Sequence, residues 1–176
     1  TVACVFNGEI YNFKELKKDL LEKGHTFKTK TDTEVLVHLY EELGEGLFEQ
    51  LNGMFAAVIY DKKKEKLVIG RDRMGEKPLY YYDSHGPFLC ASEIKALTAH
   101  PDVSRDLDPD ALAAYLSSMY IPAPLSIFKS IKKLRPGHFL IVSEKEIKEK
   151  VNWAPKIKVN KKNVQNRHHA VFILAN

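Results

Sequence analysis

The sequence predicts an α+β fold in which antiparallel β-sheets are flanked by helices. Two early segments, residues 13–23 and 35–43, repeat apolar residues at the spacing of an amphipathic helix, and each is followed by a glycine. After Met54 the pattern changes to short runs rich in β-branched and aromatic residues, separated by turn residues. The length of 176 residues suits one domain with a sizeable core.

The elements can be assigned in order along the chain. An apolar, β-prone run at residues 1–6 predicts a first strand, which delivers Asn7 and Gly8 to a rim, and the two helices follow. The short runs after them predict an antiparallel meander with strands at residues 55–60, 66–70, 79–82 and 88–91.

The second half of the chain predicts further helices and a last hairpin. A short helix is expected at residues 93–97, and a longer one should follow Asp108, an N-cap with Pro109 at the first helical position. Residues 138–143 and 146–151 are expected to pair as a hairpin whose hydrophobic residues cover the core.

The junction between the first strand and the first helix carries the most informative pattern. An asparagine side-chain amide beside a glycine N–H can form a two-donor oxyanion hole, and Gly8 has no Cβ to block a ligand. Asn12 and Glu15 resemble a capping box that would start the helix there. Taken alone, Asn7-Gly8 is more often only a turn, and that alternative stays open at this point.

Five segments in order give this pattern a context: residues 7–12, 31–34, 70–81, 92–97 and 134–138. Together, from about Val2 to about Trp153, they resemble the glutaminase domain of glutamine-hydrolysing asparagine synthetase. The resemblance implies a class II glutamine amidotransferase domain of the N-terminal-nucleophile hydrolase type, with two antiparallel sheets that face each other and are flanked by helices. The last three segments favour this branch over the sugar- and purine-pathway branches.

The resemblance implies roles for four residues. Asn7 and Gly8 look like the oxyanion hole. Glu9 looks like part of the glutamine-binding wall, and Asp32 looks like the carboxylate that receives the substrate α-ammonium. Backbone N–H groups at a helix start would keep Asp32 ionised. The plainer alternative is that Asp32 only favours the helix dipole, beside a capping box that ends at Glu34.

The resemblance also implies an N-terminal catalytic cysteine, whose α-amine acts as the base, well upstream of the Asn-Gly-Glu segment. The fold is therefore expected to be incomplete, with Thr1 as a truncation point. In one extended strand Thr1 would lie roughly 20 Å from Asn7 at about 3.3 Å per residue. The odd offset of Cys4 from Asn7 predicts that their side chains lie on opposite faces. The chain is thus expected to have no nucleophile, and in isolation to be inactive.

The expected partners also follow from the resemblance. They are glutamine and an ATP-dependent synthetase domain that uses ammonia to amidate aspartate, and ATP and magnesium are implied for that domain only. Residues 1–153 are expected to form a partial glutaminase domain, and residues 154–176 a basic tail of unknown role. A homo-oligomer is left open. The alternative function is a non-catalytic glutamine-binding or interaction module of the same fold.

Composition argues against other classes. The net charge of +4 is modest, and no aromatic residues alternate with the basic ones as in a nucleic-acid binder. The apolar run at residues 170–175 is too short to cross a membrane. Cys4 and Cys90 show neither metal spacing nor a disulfide framework, which suggests the cytoplasm. The adjacent His168 and His169 lack supporting ligands, so no metal site is expected.

Overall fold

The computed structural model describes residues 2–84, 86–157, 174 and 175. Its helices are α1 (Phe13–Glu22), α2 (Thr33–Leu43), α3 (Leu47–Gln50), α4 (Ile94–Leu97) and α5 (Pro109–Ser118). Its strands are β1 (Val2–Ile10), β2 (Gly53–Asp61), β3 (Lys66–Arg71), β4 (Tyr80–Tyr82), β5 (Leu89–Ala91), β6 (Ile131–Lys133), β7 (His138–Val142), β8 (Ile147–Val151), β9 (Lys156–Ile157) and β10 (Leu174–Ala175). Over these described ranges, none of the helices combines the length and apolar character needed to span a bilayer.

The larger sheet is antiparallel and has the strand order β1-β2-β3-β7-β8. Alternate residues of β1 point to opposite faces, as a pleated strand requires. Cys4 and Phe6 pack against the core beneath α1 and α2, whereas Val5 and Asn7 are exposed on the other face. The prediction that Cys4 and Asn7 lie on opposite faces is confirmed.

The smaller sheet has the order β5-β4-β6 and packs on the other face of the larger one. Tyr81 of β4 joins the core between the two sheets, while Tyr82 joins a third cluster with Leu97 of α4. The layers therefore run helices, sheet, sheet, helix. Two facing antiparallel sheets flanked by helices were expected, and this arrangement is confirmed.

The predicted single meander is wrong in one respect. β3 and β4 follow each other along the chain, yet they pair in different sheets. Runs of β-prone residues show that strands form but not which strands pair, and here the intervening loop crosses from one sheet to the other. The last hairpin, β7 with β8, forms as predicted.

Three local expectations can be compared with the structure. Asp108 caps α5 as predicted, because its Oδ1 accepts from the N–H groups of Asp110 and Ala111. The capping box at Asn12 is wrong, since that side chain bonds instead to the backbone of Gln50 and Asn52. The expectation that the last hairpin covers the core holds for β7 only, because all five residues of β8 are exposed. The tail predicted at residues 154–176 lies mostly outside the described residues.

Phe48 of α3 packs the helix layer against the larger sheet. Its ring lies between those of Phe55 and Phe139, with centroid separations of 6.0 and 5.6 Å. A Cβ placed on Gly70 of β3 would lie 2.3 Å from this ring. Because the neighbouring rings leave Phe48 no room to move away, glycine is required at this position.

We expect Gly70→Ala to destabilise the fold by about 1–3 kcal/mol, the usual cost of overpacking a core. Gly46→Ala is the matched control, because the nearest atom to its new Cβ would be 4.0 Å away. Urea unfolding followed by circular dichroism measures both. Equal stability of the two variants would contradict the packing described around Phe48.

Candidate functional site

The end of β1 forms a rim between the two sheets. Asn7 is exposed there, and its Nδ2 donates a hydrogen bond of 3.1 Å to the Oγ of Ser92, just after β5 of the smaller sheet. An amide nitrogen carries two hydrogens, so this bond fixes the side chain and leaves a second hydrogen for a ligand. Sequence reasoning included Ser92 only as part of the segment 92–97 and assigned it no role.

Gly8 occupies a position that no other residue fits. Its φ is +155°, and a Cβ would lie 2.1 Å from the carbonyl oxygen of Met54 and 2.7 Å from the Cα of Phe55. The absent side chain is therefore needed for β1 to lie this close to β2. The glycine predicted to allow the approach of a ligand also allows the approach of a neighbouring strand.

The N–H of Gly8 points away from β2. The N–H of Tyr11 donates to Asn52 on the β2 side, whereas that of Ile10 donates to the opposite side. Because successive residues in an antiparallel ladder alternate in direction, the N–H of Gly8 shares the direction of the Ile10 N–H. In the described part of the chain no strand pairs with this edge of β1, so no strand takes up this N–H.

Asp32 lies immediately before α2 and reaches the same strand end. Its Oδ2 accepts from the N–H of Ile10 at 3.0 Å, and its Oδ1 lies 3.5 Å from the hydroxyl of Thr33. It makes no side-chain cap to α2. The structure thus holds Asp32 against Ile10, at the end of the strand that carries Asn7, Gly8 and Glu9.

The predicted capping box at the start of α2 does not form. The carboxylate of Glu34 accepts from the N–H groups of Lys28 and Thr29, at 2.7 and 2.6 Å, and from the Thr29 hydroxyl. These bonds lower the pKa of Glu34 to about 2. Glu34 therefore orders the loop before the helix, and Asp32 remains directed at β1.

Three carboxylates lie near the Tyr11 hydroxyl at the rim. Partial desolvation, together with the charges of Glu76, Glu9 and Asp72, raises the pKa of the Tyr11 hydroxyl. Glu76 comes from the loop between β3 and β4, so that loop approaches the end of β1. A region of carboxylates suits a cationic group such as an ammonium. Glu76 was not singled out from the sequence, although it lies within the segment 70–81.

The loop between β3 and β4 is organised by Asp72, which is 1% exposed. Its carboxylate accepts from four backbone N–H groups, those of Phe55, Met74, Glu76 and Lys77, at 2.9 to 3.2 Å. The preceding Arg71 donates to three carbonyl oxygens, those of Gly75, Lys77 and Leu134, each at 2.7 Å. The two charged side chains thus satisfy backbone groups and fix the loop.

We expect Asp72→Ala to lower the free energy of unfolding by about 3 kcal/mol or more, because buried donors left without acceptors cost ~1–3 kcal/mol each. Glu76→Ala, which removes an exposed carboxylate from the same loop, should change stability little. Chemical denaturation measures both variants. If Asp72→Ala unfolds at the denaturant concentration of Glu76→Ala, the role given to Asp72 is wrong.

Neither cysteine is placed as a nucleophile for this rim. The Sγ of Cys4 lies 3.9 Å from the carbonyl oxygen of Thr33 on the helix side of β1, and Cys90 packs against the core between the sheets. Burial raises the pKa of both thiols, which disfavours the reactive thiolate. Thr1 lies outside the described residues.

A separate apolar cavity of about 360 Å³ lies at the tip of the loop, between Met74, Pro136 and Trp153. Asn7, Gly8, Glu9 and Asp32 do not line it. A search based on concave surfaces alone would therefore select this cavity and not the polar groups at the end of β1. The polar groups are the better guide, because an acyl-transfer site is defined by its donors and charges.

Comparison with known proteins connects this geometry to a family. The family model described as "Glutamine amidotransferase domain" matches residues 1–153. Asparagine synthetase (glutamine-hydrolyzing) 3 of Bacillus subtilis is 41% identical over 145 residues, which cover 82% of this chain and 24% of that protein. Putative asparagine synthetase (glutamine-hydrolyzing) 2 of Methanocaldococcus jannaschii is 39% identical over 157 residues, covering 86% of this chain and 30% of that protein.

Among solved structures, glutamine phosphoribosylpyrophosphate amidotransferase from Bacillus subtilis matches with a TM-score of 0.63 and 21% identity, over 90% of this chain and 30% of that one. This match concerns the fold, and it confirms the expected fold class of antiparallel sheets flanked by helices. The chain spans less than a third of the length of each of these three proteins.

Proposed function

The chain belongs to the glutamine amidotransferase domain family, whose model matches residues 1–153, and from this premise we propose that it is the glutamine-binding part of a glutamine-hydrolysing asparagine synthetase. The observation that carries the proposal is the hydrogen bond from the Ile10 N–H to Asp32. This bond joins the start of α2 to the end of β1, so that a carboxylate lies beside two hydrogen-bond donors. Glutamine needs both, an anion for its α-ammonium and donors for its carboxamide oxygen.

The ammonium end of glutamine would bind to Asp32 and Glu9. The Oδ2 of Asp32 is held by the backbone. Among the described residues its Oδ1 has only the Thr33 hydroxyl, 3.5 Å away, as a hydrogen-bond donor, so it can accept from an ammonium. Charge-assisted hydrogen bonds of this kind are roughly twice as strong as neutral ones. The carboxylate of Glu76 would add to the attraction without contacting the ligand.

The carboxamide end would bind to Asn7 and Gly8. When a nucleophile adds to the carboxamide carbon, the carbonyl oxygen becomes an oxyanion, and ammonia leaves as the tetrahedral intermediate collapses. The Gly8 N–H and the second hydrogen on the Asn7 Nδ2 would donate to that oxyanion. Loss of one such donor costs about 10²–10³ in rate. The bond to Ser92 would hold Asn7 ready for this step.

None of the residues to which we give a role in glutamine binding would be the nucleophile. Because Cys4 faces the helix layer and Cys90 lies between the sheets, the isolated chain should bind glutamine without hydrolysing it. In the complete protein, ammonia would pass to a synthetase domain that binds ATP and magnesium and amidates aspartate. No residue of this chain is assigned to ATP or magnesium. We also propose a cytoplasmic location. The observation behind it is that both cysteines are free thiols, as is usual in a reducing compartment.

An exposed apolar strip along α5 supports the presence of a partner domain. It consists of Leu112, Tyr115, Leu116 and Met119, whose side chains are 38% to 73% exposed. Exposed apolar side chains that are grouped in this way usually mark a surface that contacts another protein or domain. We assign the strip to the synthetase domain, because the relatives have most of their length outside the matched region. A homo-oligomer formed through the same strip is the competing assignment.

The proposed ammonium site predicts that Asp32→Asn weakens glutamine binding by about tenfold or more, because a charge-assisted bond is replaced by a neutral one. Asp19→Asn, which removes an exposed carboxylate from α1, is the matched control. Glutamine titration followed by nuclear magnetic resonance shifts of the backbone amides measures both affinities. If Asp32→Asn binds glutamine as tightly as Asp19→Asn does, the assignment is wrong.

The placement of the cysteines predicts that the purified chain releases no glutamate from glutamine. An enzyme-coupled glutamate assay tests this directly, with Cys4→Ser and Asn7→Ala prepared in parallel. Glutamate release that disappears in Asn7→Ala would overturn the predicted inactivity. If it disappeared in Cys4→Ser as well, Cys4 would be the nucleophile, in contradiction to its position on the helix side.

A further inference from the structure

Two histidines from different segments meet on the outer side of the helix layer. His25 follows α1 and His38 lies in α2, and their Nδ1 atoms are 3.1 Å apart. The Oε2 of Glu41, one turn after His38, is 3.5 Å from the Nδ1 of His38 and 3.8 Å from that of His25. We propose that His25, His38 and Glu41 bind a divalent transition-metal ion of the zinc type.

The separations fit tetrahedral coordination. Two ligands of a tetrahedral zinc, each at 2.0–2.2 Å from the metal, lie about 3.4 Å apart. The three separations of 3.1, 3.5 and 3.8 Å lie on either side of that value. Small side-chain rotations would therefore place all three atoms on one ion. The fourth position would be filled by water, since the Glu41 side chain is 45% exposed.

The far nitrogens of both histidines face carboxylates. The Nε2 of His25 is 3.1 Å from Glu42, and the Nε2 of His38 is 3.7 Å from Glu34. A carboxylate at Nε2 favours the tautomer that carries its proton there and leaves the lone pair on Nδ1. The two Nδ1 atoms, 3.1 Å apart, would then both offer a lone pair. A metal ion accepts both lone pairs at once, whereas without a metal one Nδ1 must hold a proton and donate it to the other.

The surrounding groups also admit a simpler arrangement. Glu34, Glu41, Glu42 and Lys23 could form an ion-pair network with protonated histidines and hold no metal. The histidine side chains are only 14% and 15% exposed, and two imidazole nitrogens beside one carboxylate are a typical zinc donor set. Burial and donor type therefore favour a metal over the network, and experiment can separate the two.

A bound ion would link the loop after α1 to the middle of α2. The segment between His25 and His38 contains Asp32, so the ion would restrain the segment that delivers this carboxylate to β1. Because the unfolded chain has no preformed site, metal binding would stabilise the folded state. The metal proposal does not depend on the proposed binding of glutamine, and its test uses no substrate.

The test is zinc binding to the full 176-residue chain without an affinity tag. The background carries His168→Ser and His169→Ser, so that the other histidine pair cannot contribute. Competition with a chromophoric chelator gives the stoichiometry and the affinity. Cobalt substitution gives a visible absorption spectrum that reports the coordination geometry. We expect one equivalent of zinc, a cobalt spectrum of tetrahedral type, and an unfolding midpoint that rises with zinc.

His25→Gln, His38→Gln and Glu41→Gln should each weaken zinc binding by about tenfold or more, the scale seen when coordination is disturbed. Glu41 is exposed, so its substitution tests the site without disturbing the fold. His100→Gln, which alters another histidine that lies near a carboxylate, is the matched control. Absence of stoichiometric zinc, or equal affinity in all four variants, would overturn the metal site and favour the ion-pair network.

Discussion

The close pairing of β1 with β2 is the constraint on which the rest of this structure depends. A Cβ on Gly8 would meet the carbonyl of Met54 at 2.1 Å, and a Cβ on Gly53 would meet that of Glu9 at 2.2 Å. Two glycines on facing strands thus let the backbones approach where a side chain would separate them. The pairing continues without a bulge to the end of β1, which fixes the direction of every N–H along its free edge.

Two buried or half-buried carboxylates then build the rim from this strand end. Asp32 binds the free edge through the Ile10 N–H, and Asp72 binds the β2 backbone through the Phe55 N–H. Asp32 thereby brings the helix layer to the rim, and Asp72 brings the loop that leads to the smaller sheet. Carboxylates satisfy backbone donors more strongly than neutral acceptors do, so each can hold an irregular segment in place. The same two carboxylates leave negative charge near the end of β1, where we propose that an ammonium binds.

The sequence predicted the local elements well and their pairing less well. Helices and strands follow from periodicity, which is a property of neighbouring residues, and Asp108 was recognised as a cap for the same reason. Strand pairing depends on residues far apart in the chain. The sequence pattern therefore did not show that the predicted single meander is divided between two sheets. Asn12 and Glu34 were misread because both can bond to several backbone groups, and only the folded chain decides which groups come within reach.

The residues of the candidate site also fall into two groups, those that were predicted from the sequence and those that were not. Short motifs and a family resemblance predicted four site residues, Asn7, Gly8, Glu9 and Asp32. Such motifs can be recognised in the sequence because acyl-transfer and ammonium-binding sites use a small set of residue types. Ser92 and Glu76 were not predicted, because neither has a motif of its own and each reaches the rim only when the sheets and the loop are in place. The pair of His25 and His38 shows the same limit, since the ring of each gains its partner from another segment.

By itself, then, the sequence determined the fold class and the family, and it predicted the candidate site residues at the end of β1. Those properties depend on residues that are close together in the chain, so their spacing and chemistry are visible in the sequence alone. The tertiary structure decided that Cys4 faces the helices, that the Gly8 N–H points away from β2, and that the Nδ1 atoms of two histidines lie 3.1 Å apart. These depend on strand register and on contacts between segments far apart in the chain, which burial and backbone hydrogen bonding settle only when the whole domain has packed.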